Sequence, residues 1–233
     1  MKTVILAGGL GTRLSEYTRT IPKPMVAIRG KPILVHIMEQ YAKYGFKEFI
    51  IALGYKGHII KKYFSQKNYK KKGWKIDLVE TGKKTMTGGR LKRLKKHLHN
   101  KSFMLTYGDG LSNVNLKKLL KFHETQKKII TVTAVRPPAR FGALKLKGKY
   151  VSYFKEKSQM DEGWINGGFF VIEPKFLNFI KSDNTFLERE PLEKVTKIKQ
   201  LVAFKHYSFW QCMDTIKDKE KLEEVLKKKL YNF

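Results

Sequence analysis

The chain has 233 residues, a length that suits one large domain. Its 42% hydrophobic and 12% aromatic content is ordinary for a globular protein and excludes a disordered chain. No apolar run of about 18 residues occurs, which argues against a membrane-spanning helix. The single cysteine, Cys212, excludes an internal disulfide and a cysteine-cluster metal site, and it predicts a cytoplasmic location.

The formal net charge of +29 is the most unusual bulk property. Such an excess can mark a nucleic-acid binder or a membrane-surface protein. However, only eight of the 49 basic residues are arginine, and the lysines are spread along the whole chain. We interpret them as a solvated surface, with no specific nucleic-acid partner and no membrane partner. Such a surface would still attract nucleotides and sugar phosphates.

Short apolar strands alternate with helical segments through the first part of the chain. This alternation predicts an α/β, Rossmann-like fold with a mostly parallel mixed sheet flanked by helices. The predicted strands are residues 3–6, 48–53, 75–79, 103–106 and 129–135. The predicted helices are residues 32–44, 58–64, 90–97 and 116–126.

The pattern changes after the two prolines at 137 and 138. Residues 143–146, 150–154 and 168–172 are predicted to be short antiparallel strands, followed by a strand at 201–205 and a closing helix at 216–229. We therefore predict a single domain with three parts. These are a nucleotide-binding part (1–136), a small antiparallel sugar-phosphate-binding part (137–215) and a C-terminal helix (216–233).

A glycine-rich loop, residues 6–13 (LAGGLGTR), follows the first strand directly. Glycines let the backbone approach a phosphate closely, so that successive N–H groups can point at anionic oxygens. In a parallel sheet, ligands bind at this end of the strands. The loop matches neither the Walker pattern nor the full dinucleotide-binding spacing, and alone it indicates only a phosphate site.

Two cationic side chains follow the glycines. Arg13 carries a permanently charged, forked group suited to bridging phosphate oxygens. Lys23 stands between Pro22 and Pro24, which restrict its backbone and can fix one positive charge near a reacting phosphorus. Without the glycine loop nearby, the same segment would be interpreted as a simple exposed turn.

Residues 6–13 and 22–25 (PKPM) together resemble the signature of the sugar nucleotidylyltransferases. Five further segments, in family order, are similar to the glucose-1-phosphate cytidylyltransferase branch of that family. They are 85–93 (TMTGGRLKR), 106–110 (TYGDG), 140–144 (RFGAL), 165–170 (INGGFF) and 209–215 (FWQCMDT). The resemblance implies Mg²⁺-dependent transfer of a cytidylyl group from CTP to a sugar 1-phosphate, in the first place glucose 1-phosphate.

The resemblance also implies roles for individual residues. Asp109 and Asp214 would hold Mg²⁺, although the residues alone slightly favour a turn or cap role for each of them. The catalytic residues would be Arg13, Lys23 and Asp109. The nucleotide would contact Leu6, Gly8, Gly9, Gly11, Thr12, Arg13, Lys23, Gly88, Gly89, Arg90 and Asp109, with residues 88–90 against the pyrimidine.

For the acceptor, the resemblance implies Gly142, Glu156, Lys157 and Asn166. Lys157 would bind the phosphate of the sugar phosphate and Glu156 would accept from its hydroxyls. From the residues alone, Glu156 and Lys157 form only a surface charge pair. Ser158 stands where the family has proline, and this difference weakens the prediction that the sugar is glucose.

Two alternatives stay open at this level. The first is the same chemistry with another phosphorylated substrate, or with UTP or dTTP in place of CTP. The second is a basic nucleic-acid-binding module without turnover, which would have no use for two carboxylates and a glycine loop together. A homo-oligomer is compatible with the resemblance, although the segment 64–74 is shorter than the matching region of the family.

Overall fold

The structure, a computed structural model, describes residues 1–137, 143–155 and 163–228. The strands are β1 (Lys2–Leu6), β2 (Ala27–Ile28), β3 (Lys31–Pro32), β4 (Glu48–Leu53), β5 (Lys75–Glu80), β6 (Phe103–Tyr107), β7 (Gly110–Ser112), β8 (Ile130–Val135), β9 (Ala143–Lys147), β10 (Tyr150–Lys155), β11 (Ile165–Ile172), β12 (Leu201–His206) and β13 (Trp210–Cys212). The α-helices are α1 (Ser15–Thr18), α2 (Ile33–Lys43), α3 (Gly57–Ser65), α4 (Thr87–Arg93), α5 (Lys95–Leu98), α6 (Leu116–Gln126), α7 (Glu190–Lys197) and α8 (Ile216–Lys227).

A seven-stranded sheet forms the centre, in the order β12-β8-β11-β6-β1-β4-β5. β1 is parallel to β4 and β6, β4 is parallel to β5, and β8 is parallel to β12. Only β11 runs antiparallel to its neighbours in this sheet, β6 and β8. The predicted fold class, a mostly parallel mixed sheet flanked by helices, is confirmed.

Both faces of the sheet are buried, because alternate residues of its strands enter two different cores. Ile5 of β1 joins a core that includes residues of α2, α6 and α8. Val4 and Leu6 join the opposite core, with Leu91 of α4 and Val195 of α7. This alternation follows from the two-residue period of a strand, and it explains why the last three residues of β1, Val4, Ile5 and Leu6, are all apolar.

Two predicted elements differ from the structure. The strand predicted at 168–172 is antiparallel, as expected, but it starts at residue 165 and lies inside the central sheet as β11. Among the described residues, β9 and β10 form a separate antiparallel hairpin where the small antiparallel unit is predicted. The helix predicted at 90–97 is two helices, which meet at Leu94, and the first of them begins at Thr87. The last residue of the helix predicted at 216–229 lies outside the described residues.

Two glycines stand inside α4, where glycine normally weakens a helix. A Cβ on Gly88 would lie 2.7 Å from the carbonyl oxygen of Thr185, and a Cβ on Gly89 would overlap the backbone of Asp183. Two backbone hydrogen bonds, from Met86 to Asp183 and from Gly89 to Thr185, join the same segments. Close packing of the two backbones therefore explains why α4 forms here, although the helix propensity of these residues is low.

The substitution Gly89→Ala should lower the free energy of unfolding by about 1–3 kcal/mol, because the new methyl group has no space against the backbone of Asp183. Chemical denaturation measures this change. Gly163→Ala is the matched control, since a Cβ there has no heavy atom of the described residues within 4 Å, and it should not lower stability. Equal stabilities of the two variants would contradict the packing described for α4.

No helix within the described ranges combines the length and the apolar character needed to cross a bilayer.

Candidate active site

The glycine loop leaves β1 at the carboxyl end of the central strands. β1 lies between β4 and β6, and backbone hydrogen bonds continue past its end from Ala7 to Ala52 and from Gly108 to Leu6. Gly9 is exposed, and Gly11 has a φ of +68°, a left-handed conformation that favours glycine. The loop therefore lies where ligands bind in open α/β sheets.

The Pro-Lys-Pro segment packs directly against this loop. Residues 23–25 form a short 3₁₀ turn, closed by a hydrogen bond from the Met25 amide to the Pro22 carbonyl. A Cβ on Gly11 would lie 3.1 Å from Cβ of Lys23, and a Cβ on Gly108 would lie 3.0 Å from the Pro24 ring. Both glycines thus allow the turn to lie between the glycine loop and the end of β6. The Lys23 side chain is only 9% exposed as a result.

The two aspartates meet because of a short strand pair. Asp109 connects β6 to β7, and Asp214 follows β13. β7 and β13 are antiparallel, with Gly110 opposite Cys212, and the Met213 amide donates to the Asp109 carbonyl. This pairing places carboxylates that are far apart in sequence next to each other. Asp214 is further held by its amide, which donates to Asp218 in the first turn of α8.

Lys23 bridges the two carboxylates. Its Nζ lies 2.7 Å from Oδ2 of Asp109 and 2.7 Å from Oδ1 of Asp214. Arg13, whose side chain is 74% exposed, contacts the other oxygen of Asp214 at 2.5 Å. The structure therefore brings together the four side chains that sequence reasoning placed around one phosphorus atom. Three of them are contributed by loops at the carboxyl ends of β1 and β6.

The pKa values reflect this ionic cluster. Burial acts to lower the pKa of Lys23, but attraction to Asp109 and hydrogen bonds to both carboxylates raise it above its ordinary value. Burial acts to raise the pKa of Asp214, but hydrogen bonding and attraction to Lys23 lower it below its ordinary value. Both shifts favour the charged forms. The pKa of Cys212 rises to about 12, through burial and then through Asp214 and Asp109, so this thiol stays protonated at neutral pH.

Arg90 lies beneath the glycine loop and not in the solvent. Its guanidinium donates to the carbonyls of Leu53, Gly82 and Gly8 and to the hydroxyl of Thr81, at 2.7–3.0 Å. A Cβ on Gly8 would overlap this guanidinium, so the glycine is required at that position by Arg90. By turning the Gly8 carbonyl inward, Arg90 holds the loop in its observed conformation.

The predicted contact of residues 88–90 with a pyrimidine stays a prediction. In the structure all three are buried, Gly88 and Gly89 against residues 183–187 and Arg90 against the loop. Packing thus accounts for these residues independently of any ligand.

Asn166 is the one predicted acceptor-binding residue that the structure describes. It lies near the start of β11, and its side-chain carbonyl accepts from the Gly168 amide at 2.8 Å. Its amide nitrogen is 3.4 Å from the hydroxyl of Tyr107. The other three predictions, Gly142, Glu156 and Lys157, lie outside the described residues, as does Ser158.

Two residues near Asn166 were not predicted from the sequence. The Tyr107 hydroxyl donates to Glu188 at 2.7 Å, and Glu188 also accepts from Thr87. Tyr107 stands two residues before Asp109, so its position next to a site residue was visible in the sequence. Nothing in the sequence around Glu188 indicates this contact, because the pair is separated by 81 positions.

Sequence and structure comparisons relate the chain to a family of known proteins. A sequence profile of the family described as nucleotidyl transferase matches residues 2–216. The chain is 46% identical to glucose-1-phosphate cytidylyltransferase of Salmonella typhimurium, over 98% of this chain and 96% of that protein. It is 44% identical to a probable glucose-1-phosphate cytidylyltransferase of Bacillus subtilis, over 94% and 93% of the two chains.

A solved structure shows the same architecture. The crystal structure of HddC from Yersinia pseudotuberculosis has a TM-score of 0.77 and 28% sequence identity to this chain, and the match covers 97% of this chain and 99% of HddC. The resemblance noted from the sequence motifs is therefore confirmed over nearly the full chain. Its motifs, its fold and its relatives together show that this chain belongs to the nucleotidyl transferase family.

Proposed function

We propose that the chain transfers a cytidylyl group from CTP to glucose 1-phosphate, and that CDP-glucose and pyrophosphate are the products. The observation that carries this proposal is the convergence of Arg13, Lys23, Asp109 and Asp214 beside a glycine loop. The 46% identity to a glucose-1-phosphate cytidylyltransferase supports the choice of substrates.

The chemistry suits these side chains. An oxygen of the sugar phosphate attacks the α-phosphorus of CTP, a new P–O bond forms, and pyrophosphate leaves with the electrons of the broken P–O bond. A phosphate monoester has a second pKa of about 6, so the attacking oxygen needs no general base at neutral pH. Catalysis then consists of bringing two anions together and stabilising the charge that develops. Lys23 and Arg13 supply positive charge for that task.

The donor set fits Mg²⁺. Asp109 and Asp214 each supply a hard carboxylate oxygen at the same place in the structure. The Lys23 ammonium nitrogen lies there, 2.7 Å from an oxygen of each carboxylate. Within the described residues no third acidic, histidine or cysteine side chain completes a metal-binding group. That suits Mg²⁺, which is commonly held by one or two carboxylates together with waters and substrate phosphates. When bound, the ion would neutralise phosphate charge and orient the reacting oxygens.

The remaining roles follow from position. Residues 9–12, of which Gly11 is half-buried and the others are exposed, would receive the triphosphate, while Arg90 donates to the Gly8 carbonyl from the buried side of the loop. Asn166, and Glu156 and Lys157 by resemblance, would receive the acceptor. A reaction of two small anionic substrates also uses the basic surface, since its field attracts both.

A substrate panel tests the proposal. The protein is incubated with Mg²⁺ and each pairing of CTP, UTP, dTTP or GTP with glucose 1-phosphate, mannose 1-phosphate or a phosphorylated polyol. Pyrophosphate release and mass spectrometry of the product are followed. We expect CTP with glucose 1-phosphate to give CDP-glucose and pyrophosphate in equal amounts. Preferred turnover of another pair would overturn the substrates, and absence of any product would overturn the reaction.

A further inference from the structure

Tyr107 joins the metal-ligand loop to the acceptor side of the site. Its ring packs on Gly168, where a Cβ would lie 2.7 Å from the ring and where φ is +79°. The Tyr107 hydroxyl donates to Glu188 at 2.7 Å and lies 3.4 Å from the Asn166 amide nitrogen.

Glu188 is fixed at both carboxylate oxygens by neutral hydroxyl groups. Oε1 accepts from Tyr107, and Oε2 accepts from Thr87 at 2.7 Å. Thr87 is itself oriented by the Leu187 amide, at 2.9 Å. In contrast, the neighbouring Glu190 pairs with two lysines, Lys181 and Lys194, at 2.8 and 2.9 Å. Glu188 is thus an exposed, rigidly held carboxylate whose bonds in the described part of the chain are to hydroxyls.

Such a group can accept further hydrogen bonds. An ionised carboxylate has about four lone-pair positions, and the two hydroxyls use one on each oxygen. Because Glu188 is exposed, a ligand can reach its carboxylate, and the Tyr107 hydroxyl links that carboxylate to Asn166. A fixed negative charge there repels phosphate but accepts strongly from sugar hydroxyls. Lys23 and Arg13 carry the opposite charge to Glu188. The three side chains would therefore orient an acceptor with its phosphate towards the two cations and its hydroxyls towards Glu188.

We infer that Glu188 binds hydroxyl groups of the acceptor sugar and selects among sugar phosphates, with Tyr107 and Thr87 as positioning residues that hold its carboxylate. This inference rests on the proposed function and adds to it a specificity residue. A site that hydrogen-bonds a substrate hydroxyl strongly disfavours analogues that lack it, because the protein group is then left without a partner.

The test compares Glu188→Gln and Glu188→Ala with wild type, using the sugar phosphate that the wild type turns over in the panel. We expect KM for the sugar phosphate to rise about 10-fold or more in both variants, while KM for CTP stays within about twofold. Glu190→Gln is the matched control and should leave both KM values unchanged, since Glu190 pairs with the surface lysines Lys181 and Lys194.

Deoxy analogues of the acceptor distinguish recognition of a sugar hydroxyl by Glu188 from a purely structural role of this residue. In wild type, the analogue that lacks the hydroxyl bound by Glu188 should lose kcat/KM at least about 10-fold, and in Glu188→Ala this difference should disappear. Equal loss for every analogue, or parallel rises in both KM values, would make Glu188 purely structural and overturn the inference. If the wild type is active and Glu188→Ala has an unchanged KM for the sugar phosphate, the inference alone is overturned. If the wild type is inactive, the proposed function is overturned as well.

Discussion

Replacing Lys23 by methionine should lower kcat for nucleotidyl transfer at least about a hundredfold. Methionine keeps most of the buried volume of the side chain but removes the ammonium group that contacts Asp109 and Asp214. That ammonium is the one buried positive charge in the cluster, since Arg13 is largely exposed. Steady-state pyrophosphate release measures the loss, and Asp109→Ala should show a loss of the same order.

The control for this prediction is Lys31→Met. Lys31 forms a single ion pair with Glu39, at 2.6 Å and with 41% of its side chain exposed, so this variant should keep wild-type kcat. Circular dichroism should show that both variants are folded. In Lys23→Met the pKa of Asp214 should rise, because the ammonium that now lowers it is absent. Wild-type kcat in a folded Lys23→Met protein would refute the catalytic assignment.

Replacing Arg90 by lysine should destabilise the protein by about 2 kcal/mol or more and raise KM for the nucleotide. A lysine ammonium cannot reproduce the two-sided fork that reaches Gly8 from one nitrogen and Leu53, Thr81 and Gly82 from the other. At least one buried carbonyl would then lack a partner. The loss of the bond to Gly8 would leave the Tyr55 amide as the donor to that carbonyl and would loosen the glycine loop, which is why nucleotide binding should weaken together with stability.

Arg93→Lys provides the comparison for Arg90→Lys. Arg93 is on the same helix, but it pairs with Asp183 at the surface, with 46% of its side chain exposed, and its replacement should cost less than about 1 kcal/mol. Urea denaturation and titration with CTP measure the two effects. A stable Arg90→Lys protein with unchanged KM would show that the buried fork does not support the loop.

Much of the fold follows from hydrophobic periodicity. The strand at 48–53 and the helix at 116–126 have the predicted bounds, because each is a clean apolar pattern with a tertiary partner that agrees with it. The α4 helix did not follow from local propensity, since Gly88 and Gly89 argue against a helix and only their contact with residues 183–185 explains them. Helix α7 and the three-residue strands β7 and β13 were too short or too polar to predict.

The candidate site divides in the same way. The glycine loop, Arg13, Lys23 and the two aspartates are recognisable from motifs, because each motif is local in sequence. Their convergence depends on the β7–β13 pair, which no periodicity reveals and which alone brings residue 214 beside residue 109. The position of Glu188 and the burial of Arg90 depend on contacts between residues far apart in the chain. Such contacts cannot be predicted from a single sequence.

The bridging position of Lys23 couples the binding of a divalent ion to the binding of the nucleotide. The free protein already holds a positive charge between its two carboxylates. Under the proposed function, Asp109 and Asp214 would hold a divalent ion only after releasing the Lys23 ammonium, and the cost of that release would weaken the apparent affinity for the ion. The phosphates of the nucleotide give the released ammonium a new anionic partner. Thermodynamic linkage then requires that ion and nucleotide each strengthen the binding of the other by the same factor, so the two would occupy the protein together.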